Sequence, residues 1–334
     1  MRGRAIGLGL LGLGAFLLAG ALAVRLFLEP ALVKLPLDQK ASPTGDGTDI
    51  SFFDLAAGKQ LQGLDAHVEQ RAAGDAGSAD ANSDVAVWNF GSTVTATGGD
   101  LDGTLLNAYT YRVCLDRRTA VAVDCGSDMI DYKDDVPVKG LTMTFPFGTE
   151  KKSYDYFNPT TKKAWPAKFE GTEKLDGLDV YRFLVSIPET VISQASVPKD
   201  RAAAMLGSAS ATDVNADVVY SNERTLWVEP TSGVIVTSEE HPNTFLRGPD
   251  GTQGATILAG TFVGTDKTIA DGVKRAKDTA GQITMVSVTL PLLLAGLGLI
   301  SLIVGALLIR RGRGGVDREE YSPEDIPVRE PQVQ

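Results

Sequence analysis

Few residues in this chain stand in arrangements that could do chemistry. Its two histidines are His67 and His241, and only Glu239-Glu240-His241 sets a histidine beside carboxylates. That run could hold a metal or move a proton. A metal needs more ligands than the neighbourhood offers, and the run reads better as a solvated strand end. There is no serine in a glycine elbow, no paired-histidine metal motif and no phosphate-cradling glycine loop. The sequence therefore predicts a non-enzyme, with no catalytic residue, no metal and no cofactor. The two cysteines, Cys114 and Cys125, flank a turn followed by a strand-like stretch. A disulfide across this hairpin is one reading; two free thiols on different faces is the other.

The remaining candidates are aromatic. Tyrosine, tryptophan and phenylalanine crowd the middle of the chain. One reading is an ordinary sandwich core. The other is an apolar groove with amphipathic rings at its mouth, for which Trp88, Tyr156, Trp165, Tyr181 and Trp227 are the candidate lining residues. The elements that must position them read as strands. Tyr181, Phe183, Val185 and Ile187 alternate on one face. Residues 156–164 and 226–234 echo each other, each an aromatic strand end, a Pro-Thr turn and a return strand, which argues for antiparallel sheet. The expectation is a mainly β external domain over residues 41–264, an antiparallel sandwich or strongly curved sheet. Residues 60–82, rich in Ala, Gly, Asp and Ser, read as a mobile surface loop. Residues 265–282 carry Ile269, Val273, Ala276 and Ala280 at helical spacing and predict a juxtamembrane helix packed on the sheet or on a partner, in which Gly272 is unfavourable.

Two apolar runs frame that domain. Residues 5–24 and 283–309 are uncharged, and either can cross a hydrocarbon core that needs about 20 helical residues. Arg2 and Arg4 precede the first, and Arg310, Arg311 and Arg313 follow the second. The positive-inside bias places both termini in the cytoplasm and the middle outside. A cleaved signal is the rival reading of the first run, because Ala21-Leu22-Ala23 resembles a cleavage site; the length of the run favours an anchor. Residues 25–40, with Pro30 and Pro36, read as an extended stalk, residues 1–4 as a short cytoplasmic terminus and residues 310–334 as a disordered cytoplasmic tail. Small residues one turn apart, Gly3 with Gly7, Ala5 with Gly9, Ala15 with Ala19 and Ser301 with Gly305, are compatible with helix–helix association. The chain's net charge of -10 argues against nucleic acid as a partner.

Several stretches resemble a known family. They are Leu35-Pro36-Leu37-Asp38-Gln39, residues 140–152, residues 154–181, residues 224–234 and Glu239-Glu240-His241. With the two-anchor layout, they resemble the actinobacterial envelope proteins of unknown function labelled the porin PorA family. Similar proteins of mycolic-acid bacteria are connected with polar growth and with an inner-membrane exporter of trehalose mycolates. The resemblance implies an inner-membrane protein whose external domain binds or escorts a lipid or glycolipid beside such an exporter. A ligand-free scaffold is the alternative, and an oligomeric channel a third.

Overall fold

The computed structural model describes residues 2–134 and 136–311. It separates into two compact units, a pair of helices and a β domain of residues 31–283. The expected tail of residues 310–334 lies, past Arg311, outside the described residues.

The helix pair is built on glycine. Helix α1 (Arg2–Ala23) runs through a π-helical turn (Val24–Leu28) into α2 (Glu29–Leu32). The second helix of the pair has a π-helical turn (Met285–Thr289) leading into α5 (Leu290–Arg311). Both helices are long and apolar enough to cross a membrane. A Cβ on Gly7 would sit 2.8 Å from the Gly305 carbonyl, and one on Gly14 would sit 2.7 Å from the Gly298 carbonyl. The helices are thus antiparallel and nearly in backbone contact. Ser301 Oγ donates to the Leu10 carbonyl at 2.9 Å. The contact repeats two turns apart along each helix, Gly7 against Gly305 and Gly14 against Gly298. Seven-residue spacing of this kind belongs to a left-handed crossing. Gly3 and Gly9 stand away from it, with open space where a Cβ would be.

Each π-helical turn precedes a proline. Pro30 and Pro291 lack an N–H, and their rings crowd the carbonyl four residues earlier; widening the turn relieves the clash. The carbonyl that Pro291 leaves without its usual partner is that of Ser287. Arg25 Nη1 donates to it at 3.1 Å while also pairing with Glu29 at 2.7 Å.

In the β domain, 14 antiparallel strands form one sheet. In chain order they are β1 (Lys40–Ala41), β2 (Thr44–Asp54), β3 (Lys59–Gly74), β4 (Val85–Thr97), β5 (Leu105–Asp116), β6 (Met129–Ile130), β7 (Lys133–Asp134), β8 (Tyr154–Asn158), β9 (Lys163–Leu175), β10 (Leu178–Val197), β11 (Val214–Val228), β12 (Ile235–Glu240), β13 (Asn243–Arg247) and β14 (Gln253–Gly264). The spatial order is β7-β6-β5-β4-β3-β2-β14-β12-β11-β10-β9-β8, with β13 bridging β11 and β14. Pro242 cannot donate to a ladder, and it separates β12 from β13. Together the two cover the length of β11. The sheet curves until its two arms face each other. Trp88, Val113 and Leu115 of β4 and β5 share one buried cluster with Phe157, Phe183 and Leu226 of β8, β10 and β11. The mainly β architecture expected from the alternation is what the domain adopts, with Phe183, Val185 and Ile187 buried along β10.

Three sequence expectations are corrected. Residues 60–74 are not a loop but most of β3, paired with β2 and β4. Their alanines are core residues: Ala66 and Ala72 are buried, as is Val68. Only the following stretch is a loop, tied down by Arg112, which donates to Asp75 at 2.9 Å and Ser78 at 3.1 Å. The stalk is helical as far as Leu32, and Leu35 is already buried in the main cluster. Trp88 Nε1 holds the chain there by donating to the Pro36 carbonyl at 3.0 Å. Gly272, finally, is not a weak point in helix α4 (Asp266–Thr284). A Cβ there would lie 2.4 Å from the Val236 carbonyl, so glycine is what lets α4 lie against β12, burying Val273 and Ala276. A further α-helix, α3 (Ala202–Leu206), is short. Cys114 at the end of β5 and Cys125 are joined by a disulfide, with Cα atoms 6.1 Å apart.

Candidate functional site

The interior between the two arms is filled at one end and hollow at the other. The filled end is aromatic. Phe145 and Phe183 have ring centroids 4.7 Å apart, and Tyr154 and Phe169 meet Phe183 edge-on. The hollow end holds two adjoining cavities, of about 140 Å³ and 400 Å³. Val68, Tyr109, Pro159, Arg224, Glu240 and Phe262 border both, so the two chambers meet at an ion pair. The larger volume falls within the roughly 300–1,000 Å³ of typical ligand pockets.

Strand register creates that ion pair. Arg224 of β11 lies directly opposite Glu240 of β12. Its Nη2 donates to Oε1 at 2.5 Å, while Asn222 Nδ2 donates to the other carboxylate oxygen at 3.2 Å. Both are inward positions: Tyr220, Asn222, Arg224, Leu226 and Val228 share the face of β11 that alternation turns to the interior. Burial works against the charged guanidinium and is the largest single influence on it; the Glu240 carboxylate, together with Tyr156 and Tyr109, outweighs it and holds Arg224 protonated above its already high range. Arg224 Nε remains buried without a hydrogen-bond partner.

Four tyrosines surround the pair. Tyr109 and Tyr111 lie two apart on β5 and both stack on Phe90 of β4, at 5.9 and 5.0 Å. Tyr156 comes from β8 and Tyr220 from β11. Burial pushes all four phenols above their ordinary pKa, so each is a neutral hydroxyl at physiological pH. Tyr220 accepts from Asn158 Nδ2 at 3.3 Å. Among the described residues, the Tyr109 and Tyr156 hydroxyls make no hydrogen bond. Thr142 Oγ1 lies near the Tyr111 hydroxyl without a well-formed bond to any partner. Buried polar atoms are nearly always satisfied by protein or ordered solvent. On this wall two buried atoms, Thr142 Oγ1 and Arg224 Nε, have no partner; set with the tyrosine hydroxyls among Val68, Phe90, Met143, Phe157 and Phe262, they suit a molecule that is part apolar and part polar.

The residues singled out from sequence divide. Tyr156 lines the smaller cavity. Trp88 is buried in the closed core. Trp165 packs against that core and donates to Thr161 Oγ1 at 2.9 Å. Tyr181 meets Phe169 edge-on beneath the Lys151 ammonium. Trp227 points to the outer face of β11, in the cluster under α4, and donates to Glu173 at 2.8 Å. The five therefore do not form one wall. The reading of Glu239-Glu240-His241 as a solvated strand end holds for its outer members, which pair with each other at 3.0 Å, and fails for Glu240. The missed signal was parity: an arginine and an asparagine on the apolar register of β11, and a glutamate two residues from Ser238 on β12, mark charge turned inward.

Fold and cavity together define a membrane-anchored protein that presents a large curved-sheet β domain with a polar-spotted hollow inside it. A known family matches the chain along nearly its whole length. The family model described as Porin PorA matches residues 6–307, and the chain belongs to that family. Relatives include a Porin PorA of Corynebacterium amycolatum, 25% identical over 90% of this chain and 97% of its own. Another is a Porin PorA of Corynebacterium resistens, 24% identical over 69% of this chain and 73% of its own.

Proposed function

We propose that this chain is a non-enzymatic, membrane-tethered lipid-binding protein of the cell envelope. Its β domain takes an amphiphile into the paired chambers around Arg224 and Glu240 and assists an inner-membrane exporter of envelope lipid or glycolipid. The supporting observation is the hollow end of the sheet, where apolar rings alternate with hydroxyls that have no protein partner. A closed scaffold core would satisfy or exclude such groups. Both termini are read as cytoplasmic from Arg2, Arg4, Arg310 and Arg311 at the outer ends of the two helices.

The name of the family points to a pore. In this chain the strand path of the described sheet ends at β7 and β8, with only isolated bridges beyond it, Leu115 to Ala122 and Leu141 to Tyr156, whereas a membrane-spanning barrel must close through continuous strand pairing. The two apolar runs carry no ionisable residue that could line an ion path. A channel would have to be assembled from several copies.

Native mass spectrometry of the purified full-length protein, with extraction of co-purifying lipid, tests the lipid reading. A stoichiometric lipid adduct that is weakened by filling the cavity with Ala72→Trp is the expected result. No adduct, together with no uptake of labelled envelope glycolipid, rejects it and leaves the scaffold.

A further inference from the structure

The charges around the smaller chamber are unbalanced. Arg224 and Glu240 cancel, and among the described residues the only other charged one on its wall is Arg275 of α4. Arg275 forms no salt bridge among the described residues. The acid one helical turn before it, Asp271, is bound instead by Lys267. Most of the guanidinium is withdrawn from solvent, and burial pushes its pKa down, with Asp271 only partly offsetting this. In a chain of net charge -10, this chamber thus has a wall with one uncompensated positive charge.

A desolvated cation is costly unless something pairs with it. Arginine offers a planar fork of donors that matches carboxylate and phosphate oxygens. The rest of the wall is uncharged: Val68, Phe90, Met143 and Phe157 are apolar, and Gln70, Thr142 and Thr268 carry amide or hydroxyl groups. We infer that the amphiphile held here carries an acidic group, a carboxylate or a phosphate, which pairs with Arg275 while its apolar body lies on those rings. This rests on the lipid-binding reading and adds to it the chemical class of the head group. A neutral lipid of equal chain length would leave Arg275 as unpaired as it is in the empty chamber.

The test uses the full-length chain in zwitterionic nanodiscs and three photoreactive diazirine probes of one chain length: a dodecyl carboxylic acid, a dodecyl phosphate and a dodecyl alcohol. Labelled peptides are quantified by mass spectrometry. The acid or the phosphate should label the peptides carrying Phe90, Met143 and Phe157 about tenfold more than the alcohol does, the value of one charge-assisted hydrogen bond. Whichever of the two labels more strongly identifies the head group. Arg275→Gln should bring acidic labelling down to the level of the alcohol without changing the alcohol's own labelling, and Arg275→Lys should restore most of it. Equal labelling by acid, phosphate and alcohol, or an equal fall for all three in Arg275→Gln, overturns the acidic head group and leaves lipid binding standing. Absence of cavity labelling by every probe overturns both.

Discussion

The two ends of the β-domain interior are made of the same residue types and behave oppositely. At the closed end, Phe145, Tyr154, Phe169 and Phe183 interlock, and every ring has a ring against it. At the hollow end, Tyr109, Tyr111 and Tyr156 also stack on rings, those of Phe90 and Phe145, but they border a cavity and an ion pair. Aromatic content does not separate core from site. Satisfaction does: the closed end spends its rings on packing, and the hollow end keeps hydroxyls and a guanidinium nitrogen in reserve.

That contrast can be broken by mutation. Phe183→Ala, a fully buried ring, should cost about 3–5 kcal/mol in denaturant melts of the full-length protein in detergent. Tyr109→Phe should cost less than about 0.5 kcal/mol, because the hydroxyl it loses has no partner to abandon. Equal losses at the two positions would show that the hollow end is packed after all. The next effect is electrostatic. Glu240→Leu strands the Arg224 charge and should destabilise by about 3 kcal/mol, whereas Arg224→Met combined with Glu240→Leu should fall within about 1 kcal/mol of the parent. A double variant as unstable as the single one would mean that the pair holds the strands together rather than lining a site.

The smallest effect is on titration. A group whose folded pKa lies above its unfolded value lends stability below the unfolded value and loses it as pH rises toward the folded one. For Tyr109, Tyr111, Tyr156 and Tyr220, all raised by burial above 10.0, stability should therefore hold up to about pH 10 and then fall. Tyrosinate absorbance should rise in two stages, exposed phenols first and these four together with unfolding. A single smooth stage would place water freely in the chambers.

How much of this the sequence allowed follows from the same physics. Strand alternation in β10 and the helical stripe of α4 are local and were readable. So was the likeness of the two Pro-Thr turns. In one, the Asn158 side chain accepts from the Thr161 N–H at 2.8 Å; in the other, Glu229 accepts from those of Thr231 and Ser232 at 3.0 and 2.7 Å. β3 was not readable, because Ala66 and Ala72 are core residues only by virtue of neighbours distant in sequence. Trp227 was misplaced because amphipathic character says nothing about parity. Arg224 was overlooked because a charged residue is expected at the surface, and only its register with Leu226 and Val228 says otherwise.

The pairing of β2 with β14, which runs from Gly45 opposite Gly264 to Phe52 opposite Leu258, has a consequence for how the protein is made. The first long strand of the domain waits for the last. As the chain emerges on the outer side of the membrane, β2 can pair with β3 at once, but its other edge stays open until nearly all of the domain has been exported. The missing strand comes just ahead of α4 and the second apolar run. Completion of the sheet and arrival of that run at the translocation channel therefore fall close together in time. A synthesis stall between β7 and β14 would leave an exposed sheet edge for a periplasmic chaperone to cover.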